Sequence, residues 1–198
     1  RWIVLIVQPL LEFFIRGSRY ALMRAKPNYI FLPTFVRFAP LAAEAFAAAQ
    51  FARLKYDVSV QYGANQPEYD LIAVDGDKML KISVKGSQDG GWGLTQNFKK
   101  DHDYHEATDE WLKKHHKKTI FCLVQFKNTS NLEMPRMYLA SPQEIAEELN
   151  KSAGGRGDTV LREYHKWGPS AKAHGTVDKL PDKWKFTEER AKEMFDRY

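Results

Sequence analysis

The stretch Thr119–Phe126 (TIFCLVQF) constrains this chain more than any other. It is almost wholly apolar over the length of one strand, so it reads as a strand buried on both faces, and strands of that kind are covered by helices. Helix-forming sequence is available on either side of it. Leu41–Leu54 is rich in Ala and has high helix propensity, and Pro40 suits the first turn, where its missing N–H costs nothing. Ser141-Pro142-Gln143-Glu144 has the spacing of a capping box and predicts a helix running to about Asn150. Phe98–Lys118 is polar, with Ala107, Trp111 and Leu112 as its apolar positions, and predicts a solvated helix. Thr187–Arg197 predicts a final short one. The expected class is α/β, a mixed sheet flanked by helices.

Other strands are read from alternation and turn chemistry. Asp57–Tyr62 (DVSVQY) alternates. Tyr69–Val74 and Met79–Lys85 are two β-like runs joined by Asp75-Gly76-Asp77-Lys78, a hairpin signal. Arg136–Ala140 is a short strand. Gly63–Pro67, the Gly-rich Ser87–Gly93 and most of 151–185 read as loop. Three regions follow: an N-terminal extension at 1–39, a body at 40–150, and a loop-rich C-terminal extension at 151–198. No Met stands at position 1, and Trp2–Ile15 is apolar, interrupted by Pro9, and too short to cross a bilayer. Residues 1–39 are given no function.

Charge points less firmly to nucleic acid than it first suggests. The chain carries 30 basic and 25 acidic residues, a net charge of +5. Residues 1–40 hold six of the bases and one of the acids, so the rest, with 24 of each, is neutral. An anion-binding surface on the body must arise from local clustering. The single cysteine, Cys122, lies in the apolar strand and reads as an inert core thiol of a reducing, cytoplasmic compartment.

The hairpin carries the functional argument. A two-residue turn at Gly76-Asp77 and a four-residue loop at Asp75–Lys78 give the same register, with Asp70 opposite Ser83. Lys85 then leaves β-sheet on the same face as Ser83 and is a diagonal neighbour of Asp70, with backbones about 7–8 Å apart. Leu71, Ala73, Ile82 and Val84 share the opposite, buried face. A carboxylate and an ammonium placed so could serve phosphodiester chemistry, or form an edge ion pair of under about 1 kcal/mol. Glu44 is the lone acid of Pro40–Leu54. It could favour the helix N-terminus or supply a second carboxylate to the same place.

Together, the helix with Glu44, the strand opening on Tyr69-Asp70, the hairpin and Ser83-Val84-Lys85 resemble the PD-(D/E)XK nuclease superfamily. The likeness is to its small bacterial members, which include intron-associated homing endonucleases and Holliday-junction resolvases. It spans about residues 40–127, and GANQPEYDLIAVDGDKMLKISVKGS is its specific part. The resemblance implies a restriction-endonuclease-like mixed sheet with a helix-strand-strand-strand-helix-strand core. It implies a metal-dependent DNA endonuclease using Mg²⁺, or Mn²⁺ in its place. Asp70 matches the metal-binding aspartate, Lys85 the catalytic lysine and Glu44 the helix glutamate, with the Val84 carbonyl as a further metal ligand. Tyr69 replaces the motif's Pro. Ser83 replaces its second acid, and a neutral hydroxyl is a poorer ligand for a hard cation.

Three functions therefore stand side by side: a metal-dependent DNA endonuclease, a weakened or inactive nucleic-acid-binding protein of the same fold, and an interaction protein with a structural Asp70–Lys85 pair. Gln88, Trp92 and Gln96, in and beside the Gly-rich segment, are candidate nucleic-acid contacts. A homodimer would suit double-strand cutting, and no membrane partner is expected for the body. His102, Asp103 and His105 sit in a polar stretch that reads as a solvated helix face, and His115-His116 as its charged end. The aromatics around Trp167 and Trp184 read as a tail packed on the body.

Overall fold

A computed structural model describes residues 39–61, 68–100, 102–115 and 118–197. The N-terminal extension to residue 38 and the expected loop at 63–67 lie outside them.

The first helix, α1 (Ala39–Arg53), buries Ala39, Ala43, Ala47 and Phe51, a stripe of one residue per turn. A meander follows: β1 (Asp57–Val60), β2 (Leu71–Asp75) and β3 (Lys78–Ser87). The hairpin turns at Gly76, whose φ of 58° favours glycine. Its register is the expected one: Leu71 faces Ile82, and Asp75 faces Lys78. β5 (Thr119–Gln125) pairs parallel with β3 and antiparallel with β6 (Arg136–Ala140). The five-stranded mixed sheet thus has the order β1-β2-β3-β5-β6.

β5 is buried at all seven positions because each face has its own core. Ile120, Cys122 and Val124 pack with the α1 stripe and with Ala191, Met194 and Phe195 of α4 (Glu188–Asp196). Phe121 and Leu123 pack with Trp111 of α2 (Tyr104–Lys113) and with Ile145 and Leu149 of α3 (Pro142–Lys151). Both α2 and α3 start with full capping boxes, Asp103/Glu106 and Ser141/Glu144. Trp184 joins the second core, so residues 151–198 contribute to both.

Three local expectations are corrected. The Gly-rich segment after Lys85 contains a strand, β4 (Gly91–Gly93), paired antiparallel with β7 (Val160–Arg162). The helix expected over Phe98–Lys118 is shorter and follows a 3-10 turn at Gln96–Phe98; it buries Ala107, Thr108 and Trp111 instead of being solvated throughout. The tail holds a further two-stranded ribbon, β8 (Tyr164–Lys166) with β9 (Val177–Lys179).

Candidate active site

β2 and β3 part company at the head of the hairpin, and the site forms there. The Asp70 amide donates to the Ile82 carbonyl at 2.9 Å. Its carboxylate crosses to β3 and accepts the Val84 amide at 2.6 Å. Asp70 is thereby fixed beside Lys85 without being its ion-pair partner; the Val84 amide holds it instead. Lys85 is fixed through its backbone, because its carbonyl accepts the Trp92 indole N–H at 2.8 Å.

α1 covers the face of β3 that carries Val84, opposite the face of Ser83 and Lys85. Its first turn nevertheless reaches the same place. Gly86 permits this: a Cβ there would lie 2.7 Å from the Ala39 carbonyl oxygen. As a result Glu44, Asp70, Val84 and Lys85 line one cleft of about 300 Å³, walled on the far side by Gly91, Trp92 and Gly93. The charges register one another. Burial raises the Glu44 pKa, the Asp70 carboxylate raises it further, and the Lys85 ammonium opposes both without cancelling them.

On the other side of Lys85 lies a feature the sequence reading missed. His115 is not a solvated helix end; its side chain is 12% exposed, in edge contact with the Trp111 and Phe121 rings, and its Nδ1 pairs with Glu68. Burial lowers its pKa, the Glu68 contact opposes this, and Lys85 lowers it again. The nearest sequence signal was the position of Glu68, two residues before Asp70.

The nucleic-acid candidates separate. Gln88 and Gln96 are exposed. Trp92 is 3% exposed and packed in the second core, so its indole supports Lys85 and the cleft wall and does not stand out toward a ligand. Asp103 is engaged as the α2 N-cap, accepting the Glu106 amide at 2.8 Å.

The donor set fits the implied metal in kind but not in number. Two carboxylates and the Val84 carbonyl are hard oxygen donors of the kind Mg²⁺ or Mn²⁺ takes, and the mutual repulsion of Glu44 and Asp70 favours a cation between them. The set is one acid short. Ser83 is 2% exposed and offers a hydroxyl, and among the described residues no group of three or more His, Cys, Asp or Glu is arranged to hold a metal. Among the described residues no helix is long and apolar enough to cross a membrane.

No protein-family model and no curated protein matches the chain. Among solved structures it bears a distant resemblance to Hjc, a Holliday junction resolvase from the archaeal hyperthermophile Archaeoglobus fulgidus. The two are 12% identical, the match covers 53% of this chain and 78% of that one, and the TM-score is 0.33.

Proposed function

We propose that this chain is a nuclease-fold DNA-binding protein whose metal-dependent cleavage is weakened or lost with the acid replaced by Ser83. The observation that carries the reading is the convergence of Glu44, Asp70 and Lys85, from three separate elements, on one cleft. Glu44, Asp70 and the Val84 carbonyl would hold Mg²⁺ or Mn²⁺. When bound, such an ion neutralises phosphoryl charge and acidifies water. Lys85 would set its ammonium against the charge that grows on the phosphorus oxygens, held in place from behind by Trp92. Gln88 and Gln96, both exposed and flanking β4, would contact the bound strand. The body of this unit is 40–150, with 151–198 packed against it.

One observation favours a second reading, an active endonuclease. Glu44 and Asp70 line one cleft, so two carboxylates stand where an ion could be held without an acid at position 83. Plasmid DNA incubated with Mg²⁺ or Mn²⁺ separates the two. The proposal expects DNA binding that weakens steeply with salt, with slow nicking or none. Rapid cleavage abolished by Lys85→Ala selects the active enzyme. No DNA binding at any salt concentration sinks both.

A further inference from the structure

A cationic surface begins behind the cleft wall. β4 carries Gly91, Trp92 and Gly93 along the cleft, and its ladder partner β7 places Arg162 opposite Gly91. Around β7 the chain gathers cations onto two aromatic rings. The Arg156 guanidinium lies over Tyr104 at 5.0 Å and over Trp167 at 5.3 Å. Arg162 lies over Trp167 at 5.6 Å, and the Lys99 ammonium over Tyr104 at 4.7 Å.

The group is pinned from several directions. Asp178 accepts the Trp167 indole N–H at 2.8 Å and the Ala153 amide at 3.1 Å, tying the ring to the loop that carries Arg156. Gly157, with φ of 85°, presses that loop onto α2: a Cβ there would lie 2.8 Å from the Tyr104 Cβ. His105 Nε2 lies 3.2 Å from the Gly155 carbonyl oxygen at the same junction. The positive charges are answered unequally. Arg162 Nε donates to Asp158 at 3.4 Å. Arg156 Nε donates to the Gly157 carbonyl at 3.4 Å, and its exposed guanidinium has no carboxylate partner among the described residues.

An isolated surface arginine would roam. Here it is preorganised by two rings and a glycine-tightened loop, with its terminal N–H donors left for an external acceptor. A guanidinium edge matches two oxygens of one phosphate. The ring faces already carry cations, so bases have no platform here, and the contact is to the backbone. We propose that Arg156, with Lys99 beside it, is a phosphate clamp for the nucleic-acid backbone as it leaves the Glu44–Asp70–Lys85 cleft. The assignment of nucleic acid over other phosphates rests on the function proposed above and on the β4–β7 ladder that joins the two surfaces.

The test is binding of a fluorescently labelled DNA duplex to the full chain across a series of NaCl concentrations. Arg156→Ala is expected to weaken binding about tenfold at low salt and to reduce the salt slope by about 0.9, the loss of one phosphate contact. Arg156→Glu deepens the loss. Unchanged affinity and slope in both variants overturn the clamp while leaving the cleft reading intact. Weaker binding with an unchanged slope also overturns it, since Arg156 would then act through the fold. Failure of the unsubstituted chain to bind the duplex at any salt overturns the cleft reading and the clamp's partner together. Arg156-dependent binding to anionic phospholipid vesicles, with duplex binding intact in Arg156→Ala, reassigns the site to a membrane surface and overturns the proposal.

Discussion

The Asp70 carboxylate accepts the Val84 amide at 2.6 Å, continuing by side chain a pairing whose regular ladder stops at Leu71 and Ile82. Asp70, proposed above as a metal ligand, is therefore also a clasp for the hairpin. Asp70→Ala leaves the Val84 N–H without its acceptor, and a lost partner of this kind costs about 1–3 kcal/mol. Asp70→Asn keeps an acceptor oxygen and is expected to recover most of that stability in urea unfolding. Both variants are expected to lose Mn²⁺ binding by calorimetry, because both lose the charge. Equal Mn²⁺ affinity in Asp70→Asn and the unsubstituted chain would remove Asp70 from the metal site.

Gly86 sets how closely α1 approaches β3, and so where Glu44 stands. A Cβ at this position meets the Ala39 carbonyl oxygen at 2.7 Å and the Ala43 Cβ at 3.0 Å. These are backbone and a short side chain, which cannot swing aside. Gly86→Ala is expected to lift the first turn of α1, with an overpacking cost of about 1–3 kcal/mol. Glu44 lies in the next turn and shifts with it, so Mn²⁺ affinity should fall further than in a surface variant of equal stability loss. Thermal unfolding and metal titration of the same sample check this; an unchanged melting temperature contradicts the close-contact account.

These residues also show what was legible beforehand. The Asp-Gly turn between two apolar runs is local chemistry, and it set the observed register, Leu71 with Ile82 and Asp75 with Lys78, from which the Asp70–Ser83–Lys85 alignment was extrapolated. The almost wholly apolar run at Thr119–Gln125 announced its double burial in the same way. β4 was not legible, because Gly91-Trp92-Gly93 has no strand character of its own and is a strand only through Val160–Arg162, far along the chain. Trp92 was read as a ligand contact for the same reason; its partner is the Lys85 carbonyl, which no local pattern reveals. His115 sat in a run of lysines and histidines that reads as solvent-facing, yet the Phe121 ring beside it belongs to the next element. The Asp103/Glu106 capping box carried the same spacing as Ser141/Glu144 and could have been found.

Ser83 is the point at which the sequence departs from the motif it resembles. It stands on the Lys85 face of β3, opposite Phe121 on β5, and is 2% exposed. Ser83→Glu would add a third carboxylate to Glu44 and Asp70. Without metal, the added like charge in a buried position should destabilise the fold. With Mn²⁺, the same charge becomes a ligand. The expected signature is a lower melting temperature in chelator, a larger Mn²⁺-induced rise than in the unsubstituted chain, and plasmid nicking at least about tenfold faster, a difference of about 1.4 kcal/mol in barrier. A stable Ser83→Glu protein with no added response to Mn²⁺ would show that the acid is not what limits the site.

Acid stability should be governed where Arg190 of α4 reaches Glu144 in the first turn of α3. Arg190 is 3% exposed, donates twice to the Leu139 carbonyl at 3.1 and 3.2 Å, and pairs with Glu144 at 2.7 Å. Burial acts to raise the Glu144 pKa, but hydrogen bonds from Arg190 and the Ser141 amide, with the Arg190 and Arg197 charges, outweigh it and hold the pKa below its ordinary 4.5. The fold therefore favours the ionised carboxylate. Its contribution is fully present above pH 4.5 and is lost as the pH falls from there through the lower folded-state value. Removing one member of a buried pair costs about 3–5 kcal/mol; Glu193 also pairs with Arg190, so Glu144→Gln is expected near the lower end at neutral pH. The gap between Glu144→Gln and the unsubstituted chain should close on acidification, because the native carboxyl becomes neutral too. Urea unfolding at a series of pH values measures it, and a gap that stays constant down the acid limb would mean that Glu144 contributes through its shape and not its charge.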